Sequence, residues 1–574
     1  LPTPDAAAAK ESRLNISRRN VPESVAELRA AGISEILARV YAARGVCSTA
    51  ELDCSFAGLP SWTALKGIDS AAARLADAIV RGERMLIVAD YDADGATACA
   101  VGMRGLTAMG GLVDFLVPNR FEFGYGLTPE IVALAAQRQP ALIITVDNGI
   151  ASVEGVAAAH ARGIDVIITD HHLPGDRLPD TAWIVNPNQP GCDYPSKHLA
   201  GVGVMFYLLI ALRATLRRLG RFANGAEPNL AALLDLVALG TVADVVRLDR
   251  VNRILVEQGL RRIRAGRMQP GVAALFAAGG RDPRCATTYD LGFVAGPRVN
   301  AAGRLSDMSI GIACLITDDA ATAQRLASQL DRLNRERRDI EATMQDEALA
   351  ALDAPVDVEA CTLCLYRREW HQGVVGVVAS RLKDRYHRPV IVFAQAGNGE
   401  LRGSGRAIAG FHLRDALDLV AKRAPGMIIR FGGHAFAAGL SLPEAELARF
   451  TEEFERVARE WLTAAQLERR IETDGALSVD ELTLDLARDF STNVWGQGFP
   501  RPSFDNEFKV AAQRPVGGKH MSLALTLDHK DFEAILFNRT DALPRRIRAT
   551  YWPDVHRYQG LVSLQLVVEH WEPL

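Results

Sequence analysis

Apolar residues between positions 85 and 187 fall into short runs, and several of these runs stop at residues able to do chemistry. Met85-Leu86-Ile87-Val88-Ala89 ends in Asp90-Tyr91-Asp92-Ala93-Asp94-Gly95. The run from Ala141 to Val146 ends in Asp147, and Asp165-Val166-Ile167-Ile168-Thr169 ends in Asp170-His171-His172. Short β-branched runs bounded by turn residues read as buried strands. The predicted strands are Met85–Asp90, Val113–Val117, Ala141–Asp147, Asp165–Asp170 and Trp183–Val185, with helical stretches Ala96–Met109, Pro129–Gln137 and Val153–Ala161 between them. This βαβ alternation predicts a mostly parallel sheet with helices on both faces. Such sheets collect ligand-binding groups at the C-terminal ends of their strands.

The pattern changes along the chain. Residues 1–60 read as an N-terminal helical arm and 61–319 as the main α/β domain. Residues 320–352 form one long candidate helix rich in both charge signs, read as a solvated connecting helix. Residues 353–465 form a second, smaller α/β domain, with strands Cys361–Tyr366 and Val390–Ala394 and helices near Val374–Lys383 and Leu413–Val420. In 466–574, Met521, Leu523, Leu525 and Leu527 alternate with small or polar residues, as do Val562, Leu564, Leu566 and Val568. Period-2 alternation predicts an antiparallel module, here a small β-barrel.

With 574 residues, 48% of them hydrophobic, the chain is long enough for several cores. No apolar run approaches the roughly 18 residues of a membrane span, and the first residues lack a signal-peptide pattern. The eight cysteines show no framework spacing, which points to a reducing cytoplasm. Cys361-x-x-Cys364 lies in an apolar run and reads as buried strand rather than a zinc or redox pair. A net charge of −4 gives no global sign of nucleic-acid binding. The local basic clusters Arg261-Arg262-Ile263-Arg264 and Arg545-Arg546-Ile547-Arg548 read first as solvated faces.

Asp90, Asp92 and Asp94 crowd one chain end, and carboxylates that close repel one another unless a cation lies between them. Asp147 and His171 arrive from neighbouring strand ends, and Asp244 follows a helix. An oxygen-rich set with one or two imidazoles suits manganese or magnesium better than structural zinc. Two ions about 3.5–4 Å apart would support an in-line phosphoryl displacement. Any one of these aspartates alone could equally be a helix N-cap. Asp170 is placed to orient a metal-bound imidazole from behind.

The ordered set resembles the DHH phosphoesterase superfamily, and within it the RecJ family of bacterial single-strand-specific exonucleases. The resemblance rests on Ile87 to Gly95, Asp147, Asp170-His171-His172, Asp244, Pro118-Asn119-Arg120, Gly296 to Arg304, Trp370 to Gly376, Gly403-Ser404-Gly405-Arg406, Gly432-Gly433-His434 and Pro500-x-Pro502-x-Phe504. It runs from about residue 40 to the end. Ala89 replaces a frequent glycine and Asn148 a frequent cysteine of the family, and neither position supplies a necessary ligand.

The resemblance implies an α/β fold with a DHH-type parallel-sheet domain, a smaller associated domain joined by a long helix, and a C-terminal OB-fold barrel. It implies a 5′-to-3′ exonuclease specific for single-stranded DNA. This enzyme would release 5′-mononucleotides by two-metal phosphodiester hydrolysis and act in DNA recombination and repair. Asp94, Asp147, His171 and Asp244 would hold one divalent cation, manganese or magnesium. Asp92 and Asp147, with Asp90, would hold the other. His172 would contact the scissile phosphate, with Asp170 behind it. Arg120, Ser404 and Arg406 would bind the 5′-terminal phosphate, a task suited to a forked guanidinium and a hydroxyl. Arg298 and Arg304 would approach the DNA strand. His434, flanked by two glycines, is expected to reach a cleft between the α/β domains. Lys519, His520, Arg548 and Tyr551 are candidate strand contacts on the barrel. By resemblance alone, the partners would be a single-strand-binding protein and a helicase such as RecQ, with no membrane. The alternative is a DHH-type phosphodiesterase of short oligonucleotides or cyclic dinucleotides.

Overall fold

The sheet that carries the Asp and His residues is built from apolar strands buried on both faces. The computed structural model describes residues 14–119, 126–222, 225, 227–352 and 360–574. After β1 (Leu14–Arg18) come β2 (Arg84–Ala89), β3 (Leu112–Leu116), β4 (Leu142–Val146), β5 (Asp165–Thr169) and β6 (Ile184–Val185). Strands β2 to β6 form one sheet in the order β3-β2-β4-β5-β6, and every pair is parallel. Leu142, Ile143, Ile144 and Val146 are fully buried, which is the both-faces-covered character of a parallel sheet. The chain steps from β2 to β3 on one side and then returns to β4 on the other, so the connections after β2 and β4 part and leave a crevice. That switch point is where open α/β sheets bind ligands. The predicted helices are present as Ala93–Ala108, Pro129–Ala136 and Val153–His160.

The second sheet contains β7 (Leu363–Tyr366), β8 (Val390–Gly397), β9 (Glu400–Arg406), β10 (Arg430–Gly433) and β11 (Ala437–Pro443), in the order β10-β11-β9-β8-β7. Strands β9, β10 and β11 go beyond the two strands that the sequence pattern predicts here. Their glycines weaken the local strand signal, and in β9 packing requires them. A Cβ at Gly403 would lie 2.5 Å from the Phe393 ring, and one at Gly405 would lie 2.8 Å from Leu413. Phe393, Phe411, Phe450 and Phe454 form the aromatic centre of this core, with ring centroids 5.7 Å apart in three edge or stacked pairs.

The third β region follows β12 (Arg469–Thr473). Strands β13 (Phe504–Val516), β14 (His520–Leu527), β15 (Lys530–Leu536), β16 (Arg546–Tyr558) and β17 (Leu561–Pro573) close a barrel in the order β13-β14-β15-β17-β16. The alternation of β14 is literal: Met521, Leu523, Leu525 and Leu527 are all buried.

The chain divides into two compact units. One contains Arg332–Ile471 with the residues up to Ser17, and the other contains Arg18–Asp331 with Glu472–Leu574. One expectation changes here. The N-terminal arm is not wholly helical, because it contains β1, which pairs with β12. The barrel lies in the same compact unit as the parallel sheet. Tyr41, Trp495 and Phe499 stack, with Trp495 and Phe499 centroids 5.3 Å apart, and Arg253 lies over Phe499 at 4.2 Å. The Arg44 guanidinium donates to both Asp474 oxygens at 2.8 and 2.9 Å, with both side chains essentially out of solvent. The long helix is present as one element, Ala320–Leu352.

Candidate metal centre and phosphate site

Each predicted ligand reaches the crevice because a backbone element stops there. Asp90 follows β2, and its amide donates to Val146 O at 3.2 Å, which extends the β2–β4 ladder by one bond. Asp92 is the N-cap of Ala93–Ala108 and accepts from Gly95 N at 3.0 Å. Asp92 is therefore a helix cap, and this coexists with a position beside Asp90 and Asp147. Asp147 follows β4 with φ of 62°, a left-handed conformation uncommon for a residue other than glycine. Asn148 holds this turn by donating to Val88 O at 3.1 Å and Val146 O at 2.9 Å. Strain at a turn held this firmly is a recurrent property of functional sites.

Asp94 is buried and accepts from Gly201 N at 2.7 Å and Val202 N at 2.9 Å. These amides open the helix Gly201–Arg218, whose N-terminus favours an anion. Glycines permit the approach. A Cβ at Gly201 would lie 2.7 Å from Asp147 Oδ1, and one at Gly240 would lie 3.0 Å from Asp94 Oδ1. Asp244 caps the C-terminal end of Leu234–Ala243.

The groups meet in three overlapping clusters, one of which is Asp147, His171 and His172. Asp90, Asp92 and Asp147 offer ligand atoms within 4.8 Å of one another, and so do Asp94, His171 and Asp244. His171 Nε2 lies 3.0 Å from Asp147 Oδ1, 3.5 Å from Asp244 Oδ2 and 3.9 Å from Asp94 Oδ2. Burial raises the Asp94 carboxyl to about 7, with Asp92 adding repulsion. Burial also raises Asp147 and Asp244 well above the ordinary carboxylate range, reinforced by the neighbouring carboxylates. A hard divalent cation relieves this repulsion, and carboxylate oxygens with imidazole nitrogen match manganese or magnesium.

Asp170 behaves differently. Its Oδ1 accepts from His171 N at 2.7 Å, from His172 N at 3.1 Å and sits 2.7 Å from His172 Nδ1, while Oδ2 accepts from Ile150 N at 2.9 Å. Burial alone would raise its pKa, but the His172 charge and these bonds hold it at about 2. Burial likewise opposes a charged His172, and the adjacent Asp170 overrides this and raises the imidazole to about 10.

Several supporting residues carry no signal in the sequence reading. Asn186 donates to His172 O at 2.9 Å and Asn188 to His171 O at 2.6 Å, fixing the backbone of both histidines. Asn300 accepts from Ala93 N at 2.9 Å, and a Cβ at Gly303 would lie 1.9 Å from Tyr91 O. The Gly296–Leu305 helix therefore braces the Asp90–Asp94 loop. The block stands out in the sequence, but its bracing role does not. The Asn186-Pro187-Asn188 turn after β6 is the available signal for the histidine clamp.

The expected DNA contacts divide. Arg298 is 8% exposed and donates to Asp331 at 3.0 Å and to Val294 O at 2.7 Å. Arg304 is half-buried at the end of the same helix. Arg120 lies outside the described residues. In the other unit, Ser404 and Arg406 share one face of β9, and Arg406 Nη1 lies 3.3 Å from Ser404 Oγ. A Cβ at Gly376 would lie 2.8 Å from Ser404 Oγ and 3.1 Å from Arg406 Nη2, so the start of the helix Val375–Tyr386 lies over them. A guanidinium, a hydroxyl and a helix N-terminus together suit a phosphate. His434 is in the β10–β11 turn, where its amide donates to Ala437 O at 2.8 Å.

On the barrel, Tyr551 is fully buried and bonds Asn506, and Arg548 pairs with Asp505 while its side chain stays part-exposed. His520 accepts from Asn538 N at 3.0 Å. Arg261 and Arg264 pair with Glu257, and Arg264 also donates to Ala286 O at 2.8 Å, so this cluster is a partly buried ion-pair group rather than a wholly solvated face.

Three family models match in chain order: the DHH family N-terminal domain over residues 84–241, the DHHA1 domain over 357–460 and the RecJ OB domain over 473–570. Among curated relatives, the single-stranded-DNA-specific exonuclease RecJ of Dickeya dadantii is 51% identical, over 94% of this chain and 96% of its own. The protein of the same name from Escherichia coli is 47% identical, over 98% of this chain and 100% of its own. Of solved structures, RecJ of Thermus thermophilus in complex with Mn2+ superposes with a TM-score of 0.82 at 31% identity, covering 98% of this chain and 80% of that one. The complex with Mg2+ gives 0.76 at 29%, covering 98% and 79%.

Proposed function

This chain belongs to the RecJ family of single-stranded-DNA-specific exonucleases, and from that premise we propose how its residues divide the work. The chain is a metal-dependent hydrolase of single-stranded DNA. It removes nucleotides from the 5′ end, one 5′-mononucleotide at a time. The observation that supports this reading best is that Asp147 stands within ligand distance of Asp90 and Asp92 and also of His171, which in turn meets Asp94 and Asp244. Asp94, His171, Asp244 and Asp147 would hold one cation, and Asp90, Asp92 and Asp147 the other. Bound manganese or magnesium supplies charge neutralisation and activation of water for an in-line displacement.

The chain's own groups orient the substrate. Asp170 occupies Nδ1 of His172 at 2.7 Å, which leaves Nε2 to contact the scissile phosphate. His171 ligates in place, its backbone clamped by Asn188. Ser404 and Arg406 receive the 5′-terminal phosphate, with the amides at the start of Val375–Tyr386 adding donors. Holding that phosphate fixes which phosphodiester reaches the metals. By resemblance only, a single-strand-binding protein and a helicase supply unwound ends. Hydrolysis confined to short or cyclic dinucleotides is not favoured, because the relatives match over nearly the whole chain, barrel included.

The test is product release, with manganese, from long single strands labelled at one end or the other. Labelled mononucleotide appearing at once from the 5′ label and only late from the 3′ label is expected. Equal early release from both ends would overturn the polarity. Preference for dinucleotides would overturn the exonuclease reading.

A further inference from the structure

Tyr289 and Phe293 are 53% and 62% exposed, yet their rings stack on each other with centroids 5.0 Å apart and planes 21° apart. Phe293 lies within a π-helical turn, Asp290–Ala295, and Tyr289 immediately precedes it; such turns recur at functional sites. The turn is rigidly seated. Leu291 beneath it is fully buried. Asp290 is buried, accepts from Thr287 N at 2.8 Å and Thr287 Oγ1 at 2.9 Å, and is neutralised by Arg281 at 2.6 Å. No uncompensated negative charge from Asp290 therefore stands beside the rings.

Position decides what the pair is for. A Cβ at Gly292 would lie 3.2 Å from Val242, and one at Gly296 would lie 3.0 Å from Ala243. The aromatic turn is thus packed on the last residues before the predicted ligand Asp244. On its other side, Thr288 Oγ1 donates to Trp495 O at 2.7 Å, and Arg557 of β16 lies close enough to help lower the Asp282 carboxyl, after its bonds to Arg284. His556 and Tyr558, on either side of Arg557 in the strand, stack with centroids 6.2 Å apart, and Tyr558 is 62% exposed. All these residues belong to one compact unit.

We propose that Tyr289 and Phe293 form a nucleobase-stacking step that receives the single strand where it leaves the metal centre, on the side leading to the barrel. The proposal rests on the exonuclease reading. Every base presents a π-face, so an aromatic step holds a strand without reading its sequence.

The full-length chain with manganese is assayed on a long 5′-phosphorylated strand and on a dinucleotide too short to reach the step. Phe293→Ala is expected to raise KM for the long strand about tenfold, the scale of one lost base–aromatic stack, and to leave kcat within about twofold. Dinucleotide hydrolysis stays unchanged, and Phe293→Trp restores the long-strand KM. A 2-aminopurine placed in the strand loses less fluorescence on binding to Phe293→Ala than to the unmodified chain. An unchanged KM would overturn the step and leave the pair as a surface for a protein. An equal kcat loss on both substrates would also overturn it and would assign Phe293 to packing behind Asp244. If the unmodified chain fails to degrade the long strand, the exonuclease reading itself fails. If it succeeds and Phe293→Ala matches it, only the step is lost.

Discussion

The Asp170 carboxylate lies 2.7 Å from His172 Nδ1 and also accepts the amides of His171 and His172. One side chain therefore sets the charge of the imidazole and the path of the backbone that carries both histidines. Asp170→Asn keeps the shape but removes the charge. The His172 pKa is expected to fall from about 10 toward the ordinary imidazole value, and kcat/KM to drop about 10–100-fold, the usual effect of losing such an orienting group. Side-chain nitrogen NMR of the variant measures the first and single-strand hydrolysis the second. An unshifted His172 would show that other charges hold it protonated.

Metal-free protein should lose stability as pH rises. Asp94 titrates near 7 in the fold and near 3.8 when exposed, so the folded state binds more protons across that window. Its contribution is full below the unfolded value and disappears as pH passes through about 7. Tm measured with a chelator is expected to fall as pH rises from about 4 to about 7, the window set by those two values. Manganese, which binds the deprotonated ligands, should reverse the slope. A flat profile with chelator would count against the mutual repulsion of the cluster.

Asp244→Asn removes one of the crowded carboxylates without removing a backbone partner of the kind Asp94 has. Hydrolysis is expected to fall at least about a hundredfold, whereas Tm in chelator rises. Strand binding, read by fluorescence anisotropy, should stay within about threefold, because phosphate and base contacts lie elsewhere.

Arg406→Ala should discriminate between strand ends. The KM for a 5′-phosphorylated strand is expected to rise about tenfold or more, as loss of a charge-assisted contact of about 1.5–3 kcal/mol implies, whereas a 5′-hydroxyl strand changes little. Equal effects on both would move Arg406 out of the phosphate site.

Asp474→Ala breaks a fully buried pair and leaves the Arg44 guanidinium without its bidentate acceptor. The cost is about 3–5 kcal/mol, measurable by urea unfolding. The metal ligands are untouched, so kcat of the folded fraction should be preserved.

Much of the centre is legible in the sequence because its signals are local. A β-branched run buried on both faces must be a strand, and the residue after it must lie at the sheet edge. Asp90, Asp147 and His171 follow from that alone. Asp244 is harder, since it ends a helix, and it enters the set only through the ordered motif. Arg298 shows the opposite case. Its setting among glycines suggests a nucleic-acid contact, but Asp331, 33 residues away, takes the guanidinium. No local pattern announces a partner at that distance. The glycine-rich β9 escapes a strand reading for a related reason, because the space a Cβ would fill at Gly403 and Gly405 is already taken by Phe393 and Leu413.

The order of amino acids alone dictates the alternation of strands and helices, the edge at which the acids gather and the preference for a hard divalent cation, since periodicity and ligand chemistry are properties of neighbours. Folding in three dimensions was needed to make Asp92 both cap and cluster member and to bring Asn186, Asn188 and Asn300 to the loops they hold. It also tied the segment that leads into the barrel to the N-terminal arm through Arg44 and Asp474, and left Tyr289 and Phe293 exposed behind Asp244. Those outcomes depend on which distant side chains are excluded from water together, and burial of that kind is set by packing rather than by any short stretch of chain.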